Sequence, residues 1–210
     1  MSIDQLVAGC VGQIEASHGA REQVLAASRG LIRLCANSIR AAHRSEFAEA
    51  ERLLGLAAET VAQIAAATVG SPEIRFAGYA QDALKEYAEA HLVLAFLAGR
   101  AAPSATALGV DPAPYLNGLA EAASELRRAI LDGLRRGETA RGETLLQIMD
   151  DVYSALVTVD YPDAITGGLR RTTDALRAVL ERTRGDMTAA IRQDQLMAAM
   201  RELEQKLGAA

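Results

Sequence analysis

The chain has 210 residues, half of them apolar, with 4% aromatic residues, no Trp and a net charge of −5. That is enough chain for one buried core, and its acidic balance argues against nucleic-acid binding by overall charge. No apolar run reaches the ~18–20 residues that span a bilayer, and Asp4 sits where a secretory leader needs basic residues, so a cytoplasmic protein with no membrane contact is expected.

Ala and Leu dominate, and every long segment repeats with a helical period while none alternates as a strand. The first predicted helix covers about 3–44, loosened around Ser17–Gly19. Ser45 reads as the N-cap of a second helix that runs to about Ala67, with Glu46 and Glu49 in its first turn. Ser71 followed by Pro72 caps a third helix, which runs to about Gly99. "GRAAPSATALGVDPAP" is a loop with room for one helical turn. A fourth helix covers about 113–135 and a fifth about 140–159. "DYPDAI" starts a sixth that runs to about Arg182, "TRGDM" breaks it, and a seventh covers about 186–207. No repeat or linker divides the chain. The expectation is therefore an all-α, single-domain seven-helix bundle over residues 1–210. Leu196, Met200, Leu203 and Leu207 form an apolar seam on the last helix, suited to a core or to another subunit.

Two features carry chemistry. Lys85 and Lys206 are the only lysines, so 20 of the 22 basic residues are Arg. On the first helix Arg29, Arg33, Arg40 and Arg44, with His43 beside them, fall within about 60° of one another at 100° per residue. No acid interrupts that row, which is either a solvated basic face or a track of guanidinium groups for a phosphate backbone. On the third helix "LKEYAEA" (84–90) sets Glu86 and Glu89 three residues apart, on a face that continues through Val93, Phe96 and Leu97. Either that end of the face is wet, or the two carboxylates share a cation. The fourth helix holds a second pair, Glu121 and Glu125, on a polar face with Arg128, Asp132 and Arg135. Two such pairs could converge into an oxygen-only site suited to Mg²⁺ or Mn²⁺, ions that activate water and stabilise charge on phosphorus. A ferritin-like di-iron site is excluded by spacing, because His91 follows Glu89 by two residues and Glu86 by five rather than three. Cys10 and Cys35 match no metal or redox spacing and are expected to be buried thiols.

"SRGLIRLCANSIRAAHR" (28–44), "LKEYAEA" (84–90), "YLNGLAEAASELRR" (115–128) and "MDDVYSAL" (149–156) resemble, in this order, the translin family. The likeness is closest to its nuclease branch, the translin-associated factor X subunits and their prokaryotic relatives, and it covers nearly the whole chain. The resemblance implies an all-α fold that assembles into a hollow, roughly octameric barrel around single-stranded nucleic acid. It also implies a Mg²⁺-dependent endoribonuclease acting on single-stranded RNA. The first two acidic ligands fall on Glu86 and Glu89, the third on Glu121, and a supporting acid on Glu125. The family's basic first helix matches Arg29, His43 and Arg44, with Arg33 and Arg40 shifted along the same row. The third metal position is typically Asp, whereas this chain has Glu121, one methylene longer. That departure keeps a second reading open, an oligomer that holds single-stranded RNA or DNA without cutting it. A third reading is a plain helical bundle with solvated acids.

Overall fold

A reciprocal cap opens the first helix. Ser2 Oγ accepts from the Gln5 backbone N–H, and the Gln5 side chain accepts from the Ser2 backbone N–H. The computed structural model describes residues 2–208, and all regular structure among them is helical. The elements are α1 (Ile3–His43), α2 (Phe47–Ala67), α3 (Pro72–Arg75), α4 (Gly78–Leu97), α5 (Ala105–Leu108), α6 (Pro112–Leu134), α7 (Thr139–Leu156), α8 (Asp163–Thr166) and α9 (Leu169–Gly208). The all-α class expected from the sequence is therefore the class observed. None of these helices is long and apolar enough to cross a membrane.

Several local features depart from the sequence expectations, and α1 runs unbroken through Ser17–Gly19, where loosening was expected. The third predicted helix breaks at Phe76–Ala77, where Ala77 is extended, so α3 and α4 are separate. The corner is held by the Gln81 side chain donating to the Arg75 carbonyl and by the Arg75–Asp111 ion pair. Ser45 does not cap α2. It takes a left-handed φ of 61°, and Glu46 stands at the cap position. Finally, Gly167 and Gly168 both adopt positive φ and end the four-residue α8, but α9 then runs without the break expected at "TRGDM". A mid-helix glycine such as Gly185 costs about 1 kcal/mol relative to Ala. Contacts on either side of it offset that cost. Arg184 pairs with Asp150 and Glu181, Arg127 pairs with Asp186, and Met187 lies against Gly142.

The chain divides into two compact units, one up to Gly118 and one from Leu119 on, with the division inside α6. In the first unit α1, α2 and α4 pack on one another. Val24, Leu31 and Cys35 of α1 meet a core completed by Leu54 and Ala57 of α2 and Leu84, Ala88, Leu92 and Val93 of α4. Small residues let these helices approach closely, and Ser38 Oγ donates to the Ala50 carbonyl across the α1–α2 contact at 3.1 Å. In the second unit α7 and α9 pack through Leu145, Met149 and Leu156 on one side and Leu176, Leu180 and Met187 on the other.

Each unit also carries an apolar stripe turned to solvent. On α1 these residues are Ile3, Leu6, Val7, Val11 and Ile14, and on α9 they are Leu196, Met197, Met200, Leu203 and Leu207. The seam read from the sequence on the last helix is thus surface rather than core in the single chain. Leu92, fully buried on α4, is a sensitive probe of the first unit. Leu92→Ala is expected to lower stability by about 2–5 kcal/mol in urea unfolding, from lost burial and the cavity left behind.

Candidate metal centre

Helix α4 places Glu86 and Glu89 one turn apart, and the two side chains meet different surroundings. Glu89 is 8% exposed and Glu86 is half-buried, with Lys85 Nζ 3.9 Å from the Glu86 carboxylate. Cys35 of α1 lies close enough to feel both charges. Burial first, then the negative charges of Glu86 and Glu89, push its thiol up to about 12, so it stays a neutral thiol. Cys10, by contrast, is exposed, which corrects the expectation that both cysteines are buried. Tyr87 is buried near Cys35, and burial followed by the proximity of Cys35 raises its phenol above the usual range.

The start of α6 crosses α4 at the level of these acids, and the residue at the crossing is Gly118. A Cβ added there would stand 2.7 Å from the Lys85 carbonyl oxygen, 3.1 Å from the Ala88 Cβ and 3.1 Å from the Glu89 backbone nitrogen. Only a residue without a side chain lets the two backbones come this close. Glu121 lies three residues further along α6, on the same face of the helix as Gly118. One carboxylate oxygen from each of Glu86, Glu89 and Glu121 lies within 4.8 Å of the other two. Among the described residues this is the one such group of three ligand side chains.

The donor set is oxygen only, which suits a hard divalent cation and not a soft one. Oxygens on opposite sides of one Mg²⁺ stand about 4.2 Å apart, so the three carboxylates would close on an ion by small side-chain adjustments. The extra methylene of Glu121, set against the Asp typical of the family resembled by the sequence, does not keep its oxygen from the group. Glu125 is half-buried and lies outside it, beside a shallow cavity with Arg127, Arg128 and Leu131. His91 points elsewhere, about 200° round α4 from Glu89. Burial pulls its imidazole down to about 4, and it meets Tyr87 edge-on with ring centroids 4.6 Å apart.

The basic row of α1 does not share this neighbourhood. The buried residues Val24, Ser28, Leu31, Cys35 and Ala42 mark one side of α1. Arg29, Arg33, Arg40 and Arg44 lie about 140–200° round from Val24, so the row is on the opposite side. Arg29 and Arg33 are exposed and have no ion pair among the described residues. Arg40 donates to the Asn37 side chain. Arg44 donates twice to the Glu46 carboxylate, at 2.9 and 2.6 Å, which holds that carboxyl below its usual range. His43 is half-buried at the edge of the row. Sequence reasoning found the acids but missed Gly118. The available signal was a glycine inside a helical period, one turn before Glu121.

No protein-family model matches the chain. An uncharacterized protein of Methanocaldococcus jannaschii is 31% identical over 173 residues, which are 81% of this chain and 76% of that protein. Among solved structures, AfC3PO superposes with a TM-score of 0.82 at 32% identity, over 89% of this chain and 97% of that chain. A complex of AfC3PO with duplex RNA gives a TM-score of 0.80 at 31% identity over the same shares. Apo-NeC3PO, 18% identical, has the same fold with a TM-score of 0.79 over 90% of this chain and 98% of that one.

The Gly118 crossing can be tested by itself. Gly118→Ala is expected to cost about 1–3 kcal/mol in urea unfolding, because the new methyl meets a carbonyl oxygen and backbone rather than a yielding side chain. Gly30→Ala on α1, where a Cβ meets nothing within 4 Å, is expected to be neutral or stabilising.

Proposed function

The chain belongs to the translin family, and from that premise we propose that it is a Mg²⁺-dependent endoribonuclease acting on single-stranded RNA inside a homo-oligomeric, roughly octameric barrel. The observation that supports this most is the group of three carboxylates on α4 and α6. The kinship to a protein solved with duplex RNA supports RNA as the polymer bound.

Glu86, Glu89 and Glu121 would hold the cation, Mg²⁺ or Mn²⁺. Bound there, it supplies a polarised water and an electrophilic contact for phosphate oxygens. Gly118 sets the helix spacing that keeps the carboxylates together. Buried neighbours, Cys35 among them, keep one side of the group dry and so strengthen its electrostatics. Glu125, one helical turn beyond Glu121, would serve as a supporting acid or additional base. Arg29 and Arg33 carry free guanidinium forks for backbone phosphates, with Arg40, His43 and Arg44 extending the row.

A row on the far side of α1 from the acids of its own chain calls for more than one copy. In a closed assembly the rows of some subunits and the acids of others can line one cavity. The solvent-facing apolar stripes of α1 and α9 are surfaces that such an assembly would cover. An acidic chain then binds RNA because the arginines are concentrated where the strand runs. The second reading, a barrel that holds single-stranded RNA or DNA without cutting, draws on the replacement of Asp by Glu121.

Cleavage of a fluorescent single-stranded RNA tests the proposal, with a duplex of the same sequence alongside. Cleavage in Mg²⁺ is expected to vanish in EDTA and to fall by about 10²-fold or more in Glu89→Gln, with RNA still retained. Salt-sensitive binding without cleavage in Mg²⁺ or Mn²⁺ would select the second reading. Cleavage that survives EDTA and Glu89→Gln would contradict the metal site.

A further inference from the structure

Across α4 from the acidic group, the first unit contains a cavity of about 340 Å³ that the proposed nuclease does not use. Its walls are Leu54 and Ala58 of α2, Leu94 and Ala95 of α4, and Pro103 of the segment that follows. Among these apolar surfaces stands one polar ring, His91. Its Nε2 is buried without a hydrogen-bond partner, and the ring stands edge-on to Tyr87. Nδ1 of the same ring is not among the buried, unpartnered atoms and is the nitrogen left for a ligand. A polar atom in an apolar cavity of this size is a fixed point for one matching group on a ligand.

The mouth is set by an ion pair. Arg100 donates to the Glu51 carboxylate and ties the segment after α4 to α2, and both residues line the opening. The two charges cancel, so the mouth does not favour an anion, and a phosphate would meet the Glu51 carboxylate at close range. A nucleobase fits poorly for a different reason. It carries several polar edge atoms, and walls of Leu, Ala and Pro would leave most of them unsatisfied.

We propose that this cavity binds a small, uncharged aromatic molecule bearing a single hydroxyl or N–H group, with the ring against Leu54, Leu94 and Pro103 and the donor on His91 Nδ1. The site is separate from the carboxylate group, on the opposite side of α4, and does not depend on the nuclease reading. A volume of about 340 Å³ accommodates one or two fused rings, at the lower end of small-molecule pockets. The Arg100–Glu51 pair acts as a clasp on the wall formed by the 100–103 segment.

Phenol is the probe, titrated into the full chain while the histidine ring resonances are followed by NMR. The expected result is a saturable shift confined to His91, with His18 and His43 unmoved. Benzene, which lacks the donor, is expected to bind about five- to tenfold more weakly, as is phenol to His91→Phe. Benzoate is expected to bind more weakly than phenol. Gly55 lines the cavity, and a Cβ there meets nothing within 4 Å, so Gly55→Leu fills the space without a backbone clash and is expected to abolish the shift. This variant serves should His91→Phe fail to fold. An absent or non-saturable shift at His91 would overturn the proposal, as would equal affinity for phenol in the wild type and Gly55→Leu.

Discussion

The candidate site depends on one close approach, the seating of α6 on the α4 backbone at Gly118. Two helices at ordinary spacing are held 8–10 Å apart by their side chains. With no side chain at Gly118 and only Ala88 opposite, the backbones come nearer, right at the turn that carries Glu86 and Glu89. The next turn of α6 then presents Glu121. The same approach has a cost. Two carboxylate charges a little under 5 Å apart repel by roughly 3 kcal/mol at an effective dielectric of 20, before solvent screening. Lys85 offsets part of this at Glu86. A divalent cation would offset more, which is the physical reason for reading the group as a metal centre rather than as a wet helix end. Gathering three acids costs stability where Glu89 is 8% exposed, and a shared cation would relieve that cost.

Helix α1 has two faces with separate tasks. One packs Cys35 and its neighbours against α4 and helps keep the acidic group partly dry. The other carries arginines to solvent. Because the same helix separates row from acids, the proposed cleavage would need the row of one subunit beside the acids of another. The solvent-facing apolar stripes at the start of α1 and the end of α9 point the same way.

The helical class was plain in the sequence, since Ala- and Leu-rich segments with a 3.6-residue period leave little choice. The acid spacing on α4 and the apolar seam on α9 were readable for the same reason, being properties of a single helix. What could not be read arises between helices. The role of Gly118 is a distance to another backbone, and the continuity of α9 through Gly185 rests on ion pairs with α6 and α7 and on Met187 against Gly142. Whether Glu121 reaches the acids of α4 also depends on that crossing. The corner between α3 and α4 is tied by Arg75 to Asp111, 36 residues away, a contact that no local window contains. Ser45 is the instructive case. A good capping residue directly before the helix was displaced from the cap when the α1–α2 turn required a left-handed residue, and Glu46 instead pairs with Arg44.

In the proposed function Glu86, Glu89 and Glu121 hold one hard divalent cation between them. Titration of Mn²⁺ followed by its paramagnetic resonance signal tests this without reference to RNA or turnover. One bound Mn²⁺ per chain, displaced by Mg²⁺ and weakened by about tenfold or more in Glu121→Gln, is the predicted result. Mn²⁺ affinity unchanged by Glu121→Gln, or no bound Mn²⁺ at all, would contradict it.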